Sequence, residues 1–146
     1  MKTFYLLDLN YTLIEGTDPK VTPMSRRVEL EQYRQWLVEL LRPEFTILIT
    51  ARPAIHAQIT LDSIAQKTGW RPQAAFFNTH GEPPQVAKKR ILEEQVFPEF
   101  GSPPEHHYVG IESNPTTRAM YKAFGIYSLP VPKEGVWAQL PTCPES

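Results

Sequence analysis

Four groups of polar side chains each follow a short apolar run in the sequence. They are Asp8 with Asn10, Thr50 with Arg52, Asn78 to His80, and Glu112 to Asn114. A carboxylate such as that of Asp8 can act in this position as a nucleophile or as a metal ligand. The alternative is an aspartate that ends a strand and caps a turn. The chemistry depends on the elements that carry these groups and on where those elements place them.

The apolar runs before these groups predict strands that are buried on both faces. These runs cover residues 3–7, 45–49, 74–77 and 108–111, and a fifth strand is predicted over residues 126–131. Apolar residues at helical spacing predict the helices between the strands, over residues 25–41, 53–67, 83–96 and 115–124. Such alternation predicts an α/β, Rossmann-like three-layer fold with a five-stranded parallel sheet. Ligands bind outside the carboxyl ends of the strands in these sheets, which is where the four polar groups would lie.

Length and composition are typical of one globular domain. The chain has 146 residues, and we expect a domain over residues 1–138 and a flexible, proline-rich tail over residues 139–146. Its formal net charge of −1 argues against non-specific binding to nucleic acid, which needs a basic face. Cys143 is the only cysteine, so neither an internal disulfide nor a cysteine metal cluster is expected. No apolar run approaches the roughly 20 residues of a membrane span and no secretory pattern is present, so we expect a cytoplasmic protein that does not bind membranes.

Four motifs resemble those of the haloacid dehalogenase (HAD)-like superfamily, in particular its capless phosphatases. Residues 8–13 (DLNYTL) follow an apolar strand, as the family motif Asp-x-Asp-x-Thr does, and Thr50 ends the second strand. Lys88 or Lys89 opens the later helix, and residues 109–114 (VGIESN) resemble the acidic fourth motif. Each motif is weak by itself, but the four occur in the family's order at the expected points of the strand–helix alternation.

Within the superfamily, the sequence is most similar to the 3′-phosphatase domain of phage polynucleotide kinase. This likeness comes from residues 86–91 (VAKKRI), from residues 96–100 (VFPEF) and from the run Thr-Ala-Arg at residues 50–52. It favours Lys88 over Lys89 as the functional lysine. It also implies a phosphorylated substrate, and a nucleotide or a nucleic-acid end is among the candidates.

The resemblance implies a magnesium-dependent phosphomonoester hydrolase that works through an aspartyl-phosphate on Asp8. Mg²⁺ would be held by Asp8, by the backbone carbonyl of Asn10 and by Glu112, because hard oxygen ligands suit that ion. The residues implied to bind the phosphoryl group are Thr50, Arg52 and Lys88.

Several of these roles have a structural alternative that the sequence leaves open. Thr50 could be the N-cap of the helix that follows Pro53. Lys88 could belong to a solvated helix face with Lys89. Glu112 could be a carboxylate that is favourable at the start of the next helix.

Two positions depart from the family pattern. Asn10 stands where the phosphatases carry a second Asp, which protonates the leaving group and then activates water. An amide cannot exchange a proton in this way, and general acid–base assistance raises a rate by about 10²–10⁴-fold. We therefore expect a slow phosphatase. A substrate with a good leaving group would need this assistance less. Glu112-Ser113 replaces an acidic pair, and we expect weaker magnesium binding because this ion demands near-ideal geometry. The alternative function is a catalytically degenerate HAD-like protein that binds a phosphorylated ligand or a partner protein.

No segment is long enough for a folded cap domain over the predicted site. Residues 12–45 leave room for one helix and a loop, and residues 78–88 form an equally short connection. A capless site is open to solvent, and open sites in this superfamily accept large substrates such as polymer ends or phosphoproteins. Tyr11, directly after Asn10, is a candidate for lining the open site.

Overall fold

A computed structural model of the protein describes residues 2–143. The elements in chain order are β1 (Thr3–Leu7), β2 (Ile14–Gly16), α1 (Met24–Leu30), β3 (Gln32–Tyr33), α2 (Gln35–Leu41), β4 (Phe45–Pro53), α3 (Ala57–Thr68), β5 (Ala74–Asn78), α4 (Pro84–Ile91), α5 (Phe97–Phe100), β6 (His107–Ile111), α6 (Pro115–Ala123) and β7 (Tyr127–Leu129). Irregular helical turns cover Leu9–Leu13, Ala54–His56 and Leu92–Val96.

The main sheet contains five parallel strands in the order β5-β4-β1-β6-β7. β1 lies in the centre, where Leu6 pairs with Ile47 of β4 on one side and with Gly110 of β6 on the other. The chain first builds the sheet outward through β4 and β5, and then returns to the opposite side of β1 to add β6 and β7. The strand order reverses at β1, and the crevice at such a reversal is where open α/β sheets bind ligands.

Helices cover both faces of the sheet, which confirms the predicted three-layer α/β fold. On one face, Leu7 belongs to a buried cluster that includes Leu37 of α2 and Ile64 of α3. On the other face, Leu6 belongs to a second buried cluster that includes Ile91 and Tyr121 from α4 and α6. Because alternate residues of β1 point to opposite faces, one apolar strand supplies both clusters.

The predicted helix over residues 25–41 is wrong, because two short helices and a strand occupy this range. Glu31 ends α1 in an extended conformation, with φ −70° and ψ 140°. Its carboxylate forms a buried ion pair with Arg52, and this tertiary contact overrides the helical spacing of the apolar residues. β3 follows at once and pairs with β2 in a small antiparallel sheet.

The segment between the first two strands of the main sheet therefore contains more than the one helix and loop expected. Leu37 and Leu41 of α2 pack in the same buried cluster as Leu7 of β1. The segment is thus part of the main domain rather than a separately folded cap.

Other element boundaries also differ from the predicted ones. β4 continues to Pro53 instead of ending at residue 49, and its register with β5 shifts between Ile49 and Pro53. The helix predicted over residues 83–96 starts as α4 and continues through an irregular turn into α5. Leu140, in the predicted tail, packs against the cluster that contains Leu7, and residues 144–146 of that tail lie outside the described residues. None of the helices within residues 2–143 has the length and apolar character needed to cross a membrane.

Candidate active site

The structure brings the six predicted site residues together at the carboxyl end of the sheet. They line a single open cavity of about 380 Å³. The six are Asp8, Asn10, Thr50, Arg52, Lys88 and Glu112. The cavity lies where β1, β4 and β6 end, at the point where the strand order reverses.

Lys88 is the centre of the charged contacts on the cavity floor. Its ammonium group donates to Asp8 Oδ1 at 2.8 Å and to Glu112 Oε1 at 2.5 Å. The residue is 2% exposed, so it does not belong to a solvated helix face. Burial opposes the charge on Lys88, but the two carboxylates outweigh this effect and raise its pKa, which keeps the ammonium charged.

The carboxylate of Asp8 is held in one orientation by three side-chain donors. Thr12 Oγ1 donates to Asp8 Oδ2 at 2.8 Å, Ser113 Oγ donates to the same oxygen at 3.1 Å, and Lys88 holds Oδ1. The side chain does not cap the turn over Leu9–Leu13, which argues against the turn-capping role. A carboxylate whose rotamer is fixed in this way is pre-organised for a ligand in the cavity.

Glu112 contacts the lysine rather than the oxygen atoms expected around a metal ion. Its Oε1 accepts from Lys88, and its Oε2 accepts from the backbone N–H of Asn114 at 3.1 Å. Asn114 itself is the N-cap of α6 and accepts from the N–H of Thr116 at 2.9 Å. Burial raises the pKa of Glu112, Lys88 offsets part of this rise and the charge of Asp8 adds to it, so that the pKa lies at about 7.

Ser113 occupies the place expected for the acidic metal ligand. Its hydroxyl lies 3.1 Å from Asp8 Oδ2 and 3.4 Å from the carbonyl oxygen of Asn10. These are two of the three oxygen atoms that the family resemblance assigns to Mg²⁺, and they converge on Ser113 instead of on Glu112. Within residues 2–143 no group of three or more His, Cys, Asp or Glu side chains is placed to hold a metal ion. Asp8, the Asn10 carbonyl and Ser113 together offer oxygen donors only, and this donor type is the one that Mg²⁺ takes in proteins.

Arg52 is committed to a carboxylate below the cavity surface. Its guanidinium donates to Glu31 Oε1 at 3.0 Å and to Glu31 Oε2 at 2.6 Å, and both side chains are 1% exposed. Further donations reach Thr60 Oγ1 and Asn10 Oδ1, each at 3.2 Å. The charge of Arg52 is therefore neutralised by Glu31, and its contact with Asn10 keeps the amide oxygen of Asn10 turned toward an arginine.

Thr50 is buried at the end of the regular part of β4. Its Oγ1 accepts from the backbone N–H of Arg52 at 3.0 Å, so its own hydroxyl proton is still available to a ligand. The helical turn that precedes α3 begins after Pro53, so Thr50 is not its N-cap. The bulge in β4 places Thr50 and Arg52 on the cavity wall.

Sequence reasoning assigned no role to Glu31 or Arg27. Arg27 lines the cavity, donates to Thr17 Oγ1 at 2.8 Å and lies 3.7 Å from Glu31. Their spacing of four residues, within the helix predicted over residues 25–41, was a signal for an ion pair on one helix face. Thr12, which orients Asp8, corresponds to the Thr of the Asp-x-Asp-x-Thr pattern. This match was a clearer sequence signal for a site residue than the spacing of Arg27 and Glu31.

The charges around the cavity are balanced. The cations Arg27, Arg52 and Lys88 face the carboxylates of Asp8, Glu112 and Glu31. No excess positive charge is left for a phosphate dianion.

Comparison with known proteins adds no family assignment. No protein-family model and no curated protein matches the chain.

Proposed function

We propose that this protein is a HAD-like phosphomonoester hydrolase that acts through an aspartyl-phosphate on Asp8. One observation carries the proposal: a carboxylate held by three side-chain donors lies at the floor of an open cavity, where the strand order reverses. Phosphoryl transfer requires little from a protein beyond positioning and charge stabilisation. Asp8 and its neighbours are built to provide both.

The residues around Asp8 have separate tasks in this reaction. Lys88 supplies positive charge beside the attacking oxygen and the phosphoryl group, and Glu112 holds that lysine from the opposite side. Thr50 has a free hydroxyl proton that can be donated to a phosphoryl oxygen. Thr12 and Ser113 keep the second oxygen of Asp8 away from the phosphorus atom.

Mg²⁺ is the proposed cofactor. When bound, the ion would neutralise the repulsion between the carboxylate nucleophile and the phosphoryl oxygens. Asp8, the carbonyl of Asn10 and Ser113 would hold it, and Glu112 would act at longer range. With one carboxylate directly in reach, we expect a lower affinity than in a site with two.

Asn10 limits the rate of the proposed reaction. Its amide cannot protonate a leaving group or activate water, and the contact with Arg52 keeps its oxygen as an acceptor. The loss of general acid–base assistance costs about 10²–10⁴-fold in rate. The expected enzyme is therefore slow, and the hydrolysis of the aspartyl-phosphate is affected as well as its formation.

The contacts of Asn10 and Ser113 favour a second candidate function. A pocket that fixes Asn10 against Arg52 and replaces an acidic metal ligand with Ser113 could bind a phosphorylated ligand or a partner protein without turnover. A nucleotide or a nucleic-acid end remains among the proposed ligands.

The first test is turnover of phenyl phosphate by the purified protein with and without Mg²⁺. We expect slow, Mg²⁺-dependent release of phosphate that disappears in Asp8→Ala. Full turnover by Asp8→Ala, or none by the wild type at any Mg²⁺ concentration, would contradict the hydrolase proposal and leave the binding function.

The variant Asn10→Asp separates the two candidates. If the site is intact apart from its missing acid, this change raises turnover by about 10²–10⁴-fold. The matched control is Asn114→Asp, which also adds a carboxylate to the cavity lining but keeps a good N-cap on α6. Equal rates for Asn10→Asp and the wild type would favour the binding function.

A further inference from the structure

We propose that the substrates of this site are phosphomonoesters of phenols, and that Tyr11 selects their aromatic leaving group. The inference rests on the proposed hydrolase function and adds a substrate class to it. It follows from two independent features: the uncharged rings at the cavity mouth, and the absence of a general acid at Asn10.

The cavity has a polar floor, and its outermost lining residues carry uncharged rings. Asp8, Thr50 and Lys88 are buried, whereas the most exposed lining residues are Tyr11, Pro53 and Pro84. The polar lining residues Asn10, Arg27, Ser113 and Asn114 are half-buried, so they lie less far out than this outer group. In a displacement at phosphorus, the leaving oxygen lies opposite the attacking one. With the phosphoryl group against Asp8, the leaving group must point away from the floor, toward the rings at the cavity mouth.

Tyr11 is placed at the mouth by an unusual backbone conformation. Its φ of 62° makes it the one residue other than glycine with a positive φ within residues 2–143. This conformation costs free energy for an L-residue with a bulky side chain, and such outliers concentrate at functional sites. The side chain is 53% exposed although it lines the cavity. A large aromatic ring that contributes little to the core is thus held in the lining of the cavity that contains Asp8, where it can stack on a flat ligand.

The chemistry at Asn10 points to the same class of leaving group. A site without a general acid must expel the leaving oxygen as an anion. The hydroxyl of a phenol has a pKa of about 10. An aliphatic alcohol is a far weaker acid, close to water in its acidity. A phenolate therefore leaves without the proton that Asn10 cannot supply, whereas the alkoxide of a sugar or of serine does not.

Each step balances with water as the only co-reactant. An oxygen of Asp8 forms a bond to phosphorus as the bond from phosphorus to the phenol oxygen breaks, and the phenolate takes the electron pair and then a proton from solvent. Water then attacks phosphorus and gives its proton to solvent. The bond from phosphorus to Asp8 breaks, which restores the carboxylate and releases inorganic phosphate.

The experiment compares kcat/KM for four substrates with Mg²⁺: phenyl phosphate, a phosphotyrosyl peptide, n-propyl phosphate and thymidine 3′-phosphate. We expect the two phenol esters to exceed the two alcohol esters by at least ~100-fold, the lower bound of the missing acid catalysis. The peptide arm shows whether the phenol comes from a protein or from a small molecule. In Asn10→Asp the preference should shrink, because the added acid assists the alcohol esters most. Equal kcat/KM for phenol and alcohol esters in the wild type would overturn the inference and leave the hydrolase proposal standing.

Variants at Tyr11 test the stacking surface. Tyr11→Asn removes the ring and suits a positive φ, and we expect about 3- to 10-fold weaker binding of phenylphosphonate, measured by NMR titration. Tyr11→Phe should retain wild-type affinity. Ile55→Ala is the control, because Ile55 is 86% exposed but does not line the cavity. Phenylphosphonate binding no tighter than methylphosphonate, or unchanged in Tyr11→Asn, would refute aromatic selection. Tighter phenylphosphonate binding without any turnover would refute the hydrolase proposal, and with it the substrate class, and would leave only the binding of aromatic ligands by Tyr11.

Discussion

Replacing Arg52 with methionine tests whether this arginine holds the fold or binds the substrate. Both side chains of its ion pair with Glu31 are 1% exposed, and two hydrogen bonds join them. Removing one partner of such a pair typically costs about 3–5 kcal/mol, because the other charge is left buried. After Arg52→Met, Glu31 keeps a hydrogen bond from Thr17 and an arginine at 3.7 Å. We therefore expect Arg52→Met to lower the free energy of unfolding by about 3 kcal/mol, the lower end of this range.

Glu31→Met should cost more than Arg52→Met. The guanidinium would then be left with only neutral oxygen acceptors, on Thr60 and Asn10. We expect about 5 kcal/mol, the upper end of the range for a broken buried pair. The double variant Glu31→Met/Arg52→Met should cost less than the sum of the single changes by at least ~2 kcal/mol, since no buried charge of the pair remains.

The assay is urea denaturation followed by circular dichroism, with the free energy of unfolding obtained by linear extrapolation. Affinity for phenylphosphonate with Mg²⁺ is measured on the same proteins. The reasoning fails if Arg52→Met costs less than about 1 kcal/mol while binding is lost. That result would mean that the guanidinium acts mainly on the ligand, as the sequence resemblance implies for this position.

Three further predictions concern stability. Gly110→Ala should cost about 1–3 kcal/mol in urea denaturation, because a Cβ there would lie 2.6 Å from that of Ser128; a neutral change would show that β6 and β7 can separate. Lys67→Met should cost about 1–2 kcal/mol, because the ammonium donates to three carbonyls at the end of α1, and Lys67→Arg should recover part of this loss. Burial and the Glu105 carboxylate raise the pKa of Tyr108 to about 12 from 10.0. The folded state holds the phenolic proton of Tyr108 more tightly than the unfolded state does. The resulting contribution to the free energy of unfolding is therefore complete below about pH 10 and is lost between about pH 10 and 12. Tyr108→Phe should remove this part of the pH dependence in urea denaturation.

The three central strands, β4, β1 and β6, could be predicted from sequence because each contains a continuous run of apolar and β-favouring residues. A strand that is buried on both faces needs no partner-specific information to be recognised. The break at Glu31 could not be predicted in the same way. Apolar residues keep helical spacing on both sides of it, and the break depends on an arginine 21 positions later. Local periodicity carries no information about such a tertiary contact.

The location of the site was predictable, but the division of tasks within it was not. Polar residues at strand ends, together with the fold class, place Asp8, Thr50 and Glu112 at one edge of the sheet. Sequence spacing does not say which of two adjacent side chains turns toward a given atom. Lys88 draws Glu112 toward itself, and Ser113 is left facing Asp8 and the Asn10 carbonyl. The contact that decides these orientations comes from α4, far away in the sequence.

The two departures from the family pattern have related consequences for the proposed reaction. Asn10 removes the proton that assists a leaving group, and Ser113 removes one carboxylate that would hold the cation firmly. Both changes reduce the help given to a reaction in which negative charge builds up on the leaving oxygen. A phenol oxygen spreads that charge over its own ring and needs less help of either kind. The aromatic residue at the mouth would then supply binding energy where the floor of the site supplies less catalysis, so the same substrate class accounts for Asn10, Ser113 and Tyr11 together.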